Sequence, residues 1–95
     1  MAIYKPLYLP EFFKQAKKFR HLSKLVERKV RQICDDPYRA AKSESLVGNL
    51  RGLRSARLTK NLRIIFAVSE ECPDQFHLPP KTVVFYTLGT HEEVY

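Results

Sequence analysis

Arg57 and Arg63 flank Thr59-Lys60-Asn61, a tripeptide with turn chemistry. If the segments on either side are strands of a hairpin, the two guanidiniums fall at neighbouring positions on one sheet. Two cations held that close repel unless an anion lies between them, and the planar five-donor fork of arginine matches phosphate oxygens. The competing reading is that each arginine pairs with a surface acid or is simply solvated. Arg51, Arg54 and Lys60 extend the basic series around the pair and are candidate RNA contacts. Towards the other end, His91 follows Gly89, read as the end of a strand, so its imidazole would project from a sheet end. An imidazole titrates near pH ~6.5, which suits it to proton transfer at neutral pH. A lone histidine can equally be a plain surface residue, and His21 and His77 read that way. Tyr95 is an aromatic with little core to join, and it could stack on a base. Glu44 sits in a basic, Ser-rich loop where arginines would keep its carboxylate ionised and able to act as a general base. Tyr4, Tyr8, Tyr38 and Tyr86 read mostly as strand or core residues.

The charge balance favours an anionic partner. Lys and Arg number 17 against 10 acids, a net +7. Residues 1–63 hold 16 of those 17 bases and five acids, a net +11; residues 64–95 hold Lys81 against five acids, a net −4. Such a field attracts RNA, DNA, anionic lipid or an acidic protein. Several classes drop out. Three glycines, Gly48, Gly52 and Gly89, cannot build a glycine-rich phosphate loop. Cys34 and Cys72 are too far apart for a metal-ligand spacing, no Cys/His cluster accompanies them, and no serine-nucleophile elbow is present. We therefore expect no metal and no cofactor. The longest stretch free of Asp, Glu, Lys and Arg runs only from Thr82 to His91, against the ~20 apolar residues of a membrane span. The opening Met1-Ala2-Ile3-Tyr4-Lys5-Pro6 has no apolar h-region, which with two unpaired thiols predicts a cytoplasmic protein. A hydrolase of RNA needs no metal in principle, because the 2′-OH is a built-in nucleophile and the protein supplies proton transfer and charge stabilisation.

The elements that must position these residues follow from the period of the apolar pattern. The composition, 44% hydrophobic and 28% charged, is that of a globular chain, and 95 residues make one domain over 1–95. Ile3–Leu9 reads as a strand, with Pro6 at an edge or its nitrogen pointing outward. Pro10 suits the first position of a helix whose apolar residues are Phe12, Phe13, Ala16 and Phe19 and which ends near His21-Leu22. Ser23 is a candidate cap for a second helix carrying Val26, Val30 and Ile33, which Pro37 stops at Asp35-Asp36. Residues 38–52 have loop chemistry. Leu53–Leu58 reads as a strand, Arg63–Ser69 as a buried central strand, residues 70–81 as a loop, and Thr82–Leu88 as the last strand, ended by Gly89. The order is β-α-α-β-β-β: an α+β domain in which an N-terminal helical hairpin packs on one face of an antiparallel sheet and leaves the other face open as a working surface.

The string Leu46-Val47-Gly48-Asn49-Leu50-Arg51-Gly52-Leu53-Arg54-Ser55-Ala56-Arg57, followed by Leu62-Arg63-Ile64-Ile65-Phe66-Ala67-Val68, resembles the core of the RelE/ParE superfamily of type II toxins. The ending Gly89-Thr90-His91-Glu92-Glu93-Val94-Tyr95 is similar to that of YafQ-like members, and the β-α-α-β-β-β order agrees over nearly the whole chain. The resemblance implies a RelE-like mRNA interferase that inhibits translation, with mRNA, the ribosome and a cognate antitoxin as partners. Taken position by position, it makes Arg63 the arginine that engages the scissile phosphate, as in YoeB-like members. Arg57 falls on a strand position that is basic or His, His91 on the general acid, and Tyr95 on the aromatic beside it. Glu44 matches the position where YoeB-like members carry a Glu general base and YafQ-like ones a His. Asn61 and Leu62 depart from the pattern, since YafQ-like members have an acid and a Trp there. Two other readings stay open: a ParE-like toxin that targets DNA gyrase without nuclease activity, and a non-catalytic RNA-binding protein.

Overall fold

The computed structural model describes residues 3–38, 44–45, 53–71 and 80–90, with backbone alone at 44, 45 and 71. Strand β1 (Lys5–Tyr8) leads into helix α1 (Pro10–Lys18), a 3-10 turn (Arg20–Leu22) and helix α2 (Ser23–Asp35). Strands β2 (Glu44–Ser45), β3 (Arg54–Arg57) and β4 (Leu62–Val68) follow, then a 3-10 turn (Ser69–Glu71) and β5 (Thr82–Thr90). The helices-then-strands α+β arrangement is the one the sequence pattern predicts.

Local chemistry explains most boundaries. Pro10 occupies the start of α1, where a missing N–H costs nothing. Ser23 does not cap α2. Its own N–H donates to the Arg20 carbonyl, because the 3-10 turn runs straight into the helix and leaves Leu22, not Ser23, at the cap position. Val26, Val30, Ile33 and Cys34 form the buried face of α2, and each fully buried aliphatic side chain contributes about 1.5–3 kcal/mol.

The sheet order is β1-β5-β4-β3-β2. All pairs are antiparallel except β1 with β5, which runs parallel from Lys5↔Thr82 to Tyr8↔Phe85. The apolar pattern of a strand carries no direction, and the return path through the helices decides it. Lys5 N–H donates to the Lys81 carbonyl and Leu9 N–H to that of Phe85, so the strand's period of two turns the donorless Pro6 nitrogen away from β5, to the free edge. Phe66 pairs with Phe85 but Ile65 with Thr87, leaving Tyr86 as an extra residue on β5. This β-bulge lets Val83, Phe85 and Leu88 share one face although their spacing breaks the period of two.

The helix-side core joins Phe12, Val26, Val30 and Ile33 to Ala56, Leu62, Ile64, Phe66, Val68, Val83, Phe85 and Leu88. Tyr8, Phe12 and Phe85 lie with ring centroids 5.3–5.6 Å apart. The opposite face is not bare, contrary to the expectation of an open sheet surface. Ser55, Ile65, Ala67 and Val84 on that face are buried too. The run Ile64-Ile65-Phe66-Ala67-Val68, apolar on both sides, is what a doubly covered strand requires. Exposure on this face is found at the end beside the β3–β4 turn and along the edge strand, where Lys5 and Leu7 are exposed. Gly89 does not stop β5, which continues through Thr90.

Candidate functional site

The β3–β4 turn builds the exposed end. Leu58 N–H donates to the Leu62 carbonyl at 2.8 Å and Thr59 N–H to the same carbonyl at 3.2 Å. Thr59 Oγ1 in turn accepts from the N–H groups of Asn61 (3.3 Å) and Leu62 (3.1 Å), which pins the three-residue loop. That closure sets the register: Arg57 lies directly opposite Arg63. The next pair out from a hydrogen-bonded one is of the close kind, in which facing side chains approach most nearly. Arg57 is exposed and Arg63 half-buried, and Lys60 is exposed at the tip of the turn. Among the described residues neither Arg57 nor Arg63 has an acidic partner. Two like charges opposed across strands with no counter-charge are unfavourable in themselves and become favourable when an anion bridges them.

The register extends this row. Arg63 pairs on its other side with Gly89, buried within β5, so no side chain rises beside the guanidinium there. One row along on the same face, Glu44 pairs with Ser55, Ser55 with Ile65 and Ile65 with Thr87. Glu44, Arg57 and Arg63 thus occupy one face of the sheet by register. Arg54, expected as an RNA contact beside them, does not join them. It stands opposite Phe66 on the helix side, with its guanidinium carbon 5.1 Å above the Tyr38 ring. Arg51, His91 and Tyr95 lie outside the described residues. Among the described residues no group of three His, Cys, Asp or Glu side chains gathers to hold a metal ion.

Two features escaped the sequence reading. Gly89 signals a close approach, since a glycine inside a strand leaves its face unfilled, but it reads equally as a terminator. The second is a polar cluster around Glu70. Tyr4 donates to Glu70 Oε2 at 2.7 Å and Tyr38 donates to the same oxygen at 3.2 Å. Burial pushes the Glu70 carboxyl up, but the two hydroxyls, the Lys81 ammonium and the Lys81 N–H outweigh it and hold the group below the usual carboxylate range. Burial first, then the Glu70 carboxylate, push the Tyr4 hydroxyl well above its ordinary value. Lys81 has a positive φ of 57°, and its ammonium lies 5.0 Å above the Tyr4 ring. No signal local to any one of these residues points to the others. Cys34 is buried, and burial, with Asp35 adding to it, raises its thiol to about 11, so it is an unreactive core residue.

No protein-family model and no curated protein matches the sequence. Solved structures do match along nearly the full chain. YafQ from E. coli superposes with a TM-score of 0.72 at 19% identity, covering 97% of this chain and 98% of that one. The YoeB/ParE toxin from Agrobacterium tumefaciens gives 0.73 at 16% identity, covering 92% and 98%. The toxin–antitoxin complex RelBE2 from Mycobacterium tuberculosis gives 0.71 at 22% identity, covering 96% and 94%. The chain therefore has the fold shared by YafQ, the YoeB/ParE toxin and RelBE2.

Proposed function

We propose that the protein is the toxin of a type II toxin–antitoxin system, a metal-independent endoribonuclease that cleaves mRNA in the cytoplasm and so inhibits translation. The observation that carries this reading is the opposed Arg57–Arg63 pair at one end of the sheet, Arg57 exposed and Arg63 half-buried, without an acidic partner among the described residues. In the reaction the 2′-oxygen attacks the adjacent phosphorus and the 5′-oxygen leaves. A 2′,3′-cyclic phosphate and a 5′-hydroxyl are the products. Arg63 and Arg57 hold the phosphate oxygens and stabilise the negative charge that grows on them. Glu44 takes the 2′-OH proton and His91 gives a proton to the leaving 5′-oxygen. Tyr95 stacks on a base beside the scissile bond, and Arg51 and Lys60 attract the backbone. The fold neighbours support the toxin reading, and His91 follows Thr90, the last residue of β5, in the chain.

The decisive experiment incubates purified protein with mRNA, with and without ribosomes, in EDTA, and identifies the new ends. Cleavage in chelator with 2′,3′-cyclic or 3′-phosphate ends is the expected result. A strict need for Mg²⁺, or 3′-hydroxyl ends, would overturn the mechanism.

A nuclease of this kind needs silencing in its own cell, and one of the neighbours is a toxin–antitoxin complex. The surface we assign to the antitoxin is a groove of about 370 Å³ between α1, α2 and β1. Tyr8, Phe12, Phe13 and Val30 line its apolar part, and Lys17 and Arg20 supply positive charge. An acidic amphipathic segment that folds on binding complements it.

A further inference from the structure

We propose that the bulge in β5 turns the Tyr86 ring onto the working face, where it stacks on a base next to the phosphate held by Arg57 and Arg63. The proposal rests on the nuclease reading for the identity of that phosphate. It gives β5 a part in deciding how RNA lies on the sheet.

The orientation of Tyr86 follows from the bulge. Phe85 and Leu88 both belong to the helix-side core. Side chains alternate along a strand, so counting on from Phe85 sends Tyr86 to the opposite face, and counting back from Leu88 sends Thr87 there too. Two consecutive residues share that face because β5 carries one residue more than β4 between the Phe66↔Phe85 and Ile65↔Thr87 pairs. Neither residue is among the described side chains that form or line the helix-side core.

Accessibility changes at the same place. On this face Val84, Ala67 and Ile65 are buried, whereas Tyr86 and Thr87 are half-buried. Further towards the β3–β4 turn comes the row of Gly89, half-buried Arg63 and exposed Arg57. Tyr86 thus stands where the covered part of β5 gives way to the open part. The row of Ile65 lies two residues from the row of Arg63, about 7 Å at ~3.4 Å per residue. A nucleotide whose phosphate lies between the arginines spans that gap with its base, and Gly89 leaves the β5 side of the arginine row clear of side chains.

The chemistry of a tyrosine fits that place. Two guanidiniums already face the phosphate, so what remains to be held is a base, and every base has a π-face for an aromatic ring. A ring of this size is ordinarily placed where its apolar area is buried. A bulge disrupts the ladder of the sheet, and bulges recur beside active sites, where they re-aim a side chain. Here one keeps Phe85 and Leu88 in the core while turning Tyr86 out of it.

The test compares wild type with Tyr86→Phe, Tyr86→Leu and Tyr86→Ala. The probe is a hexanucleotide of 2′-O-methyluridine carrying 2-aminopurine at one position. Without a 2′-OH it cannot be cut by the proposed route, so quenching of the fluorescent base reads stacking without reference to activity. Wild type and Tyr86→Phe should quench it on binding. Tyr86→Leu and Tyr86→Ala should lose at least half of that quenching and bind about 5- to 150-fold more weakly, with an unchanged salt slope because no charge is removed. Where truncation to alanine unfolds the chain, Tyr86→Leu, which keeps apolar bulk, decides. Quenching equal to wild type in Tyr86→Leu overturns the proposal. Loss of quenching in Tyr86→Phe overturns it as well, because the contact would then belong to the hydroxyl. Cleavage of an RNA with an abasic ribose at each flanking position in turn is the second measurement. One position should slow wild type but slow Tyr86→Leu no further, and additive losses at every position would refute stacking. A wild-type protein that does not cut RNA would sink the nuclease reading, while the fluorescence of the probe would still decide whether Tyr86 stacks.

Discussion

In the proposed reaction Arg57 and Arg63 hold the phosphate, and a three-residue turn leaves the two residues no freedom to stand apart. Removing a preorganised donor from a transition-state anion typically costs ~3–4 kcal/mol, or 10²–10³ in rate. Arg63→Ala and Arg57→Ala are each expected to lower single-turnover cleavage by about that factor while the protein still binds RNA. His91→Ala and Glu44→Ala should lower it by roughly 10²–10⁴, the usual value of a positioned acid or base. Full activity of His91→Ala would remove it as the acid and shift proton transfer to Tyr95 or to the ribosome. Gly89 has the opposite kind of role, since it matters for what it lacks. Gly89→Val places a branched side chain on the working face next to Arg63. Cleavage should fall further than in Gly89→Ala, with the far-UV circular dichroism of both variants unchanged. If the valine variant cuts as fast as wild type, RNA does not approach the sheet beside Arg63.

At the scale of elements, α2 and the sheet depend on each other through one stripe. Ile33 is fully buried, while Lys24 and Arg28 point to solvent from the same helix. Ile33→Ala should destabilise the protein by about 2–5 kcal/mol, because it loses transfer energy and leaves a cavity. Lys24→Ala and Arg28→Ala should stay within about 0.5 kcal/mol of wild type. Urea unfolding of the three variants checks the contrast, and equal effects would mean that the helix packs by a different face. β4 is buried on both faces along most of its length, and the two opposed arginines lie at its start, beside the turn.

For the whole molecule, charge and titration set the conditions under which it works. The net +11 over residues 1–63 should make RNA binding fall with salt, and Lys18→Ala should reduce the slope by about 0.7 if it contacts one phosphate. Association with an acidic antitoxin should slow as salt rises for the same reason. Stability should decline at both ends of the pH scale. The Cys34 thiol has a folded pKa raised from 9.0 to about 11, so the folded state favours the protonated form. Its contribution is complete below the unfolded value and is lost as pH rises towards 11, at up to about 1.4 kcal/mol per pH unit. Cys34→Ala should flatten that alkaline slope. Glu70 is shifted the other way, so its contribution is present above the unfolded carboxylate value and is lost as pH falls through the lowered one. Thermal unfolding from pH 3 to 11 measures both, and an alkaline limb identical in Cys34→Ala would assign it to other groups.

What the sequence determined by itself is what neighbours along the chain decide. Pro10 starts α1 and Pro37 follows the end of α2, through φ restriction and a missing donor. The turn chemistry of Thr59-Lys60-Asn61, between apolar runs of strand period, was enough to set Arg57 against Arg63, because turn length fixes register. The unbroken apolar run of β4 likewise carried its burial on both faces, although the expectation of an open second face did not use it. The tertiary structure alone decided whatever depends on distant partners. The parallel direction of β1, the bulge at Tyr86 and the continuation of β5 past Gly89 depend on which strand lies alongside, and Arg54 had no local reason to face the helices. The bond from Tyr4 to Glu70 spans 66 residues of chain. A pairing that remote has no local signature in either segment, because it exists only once the sheet has brought the two together.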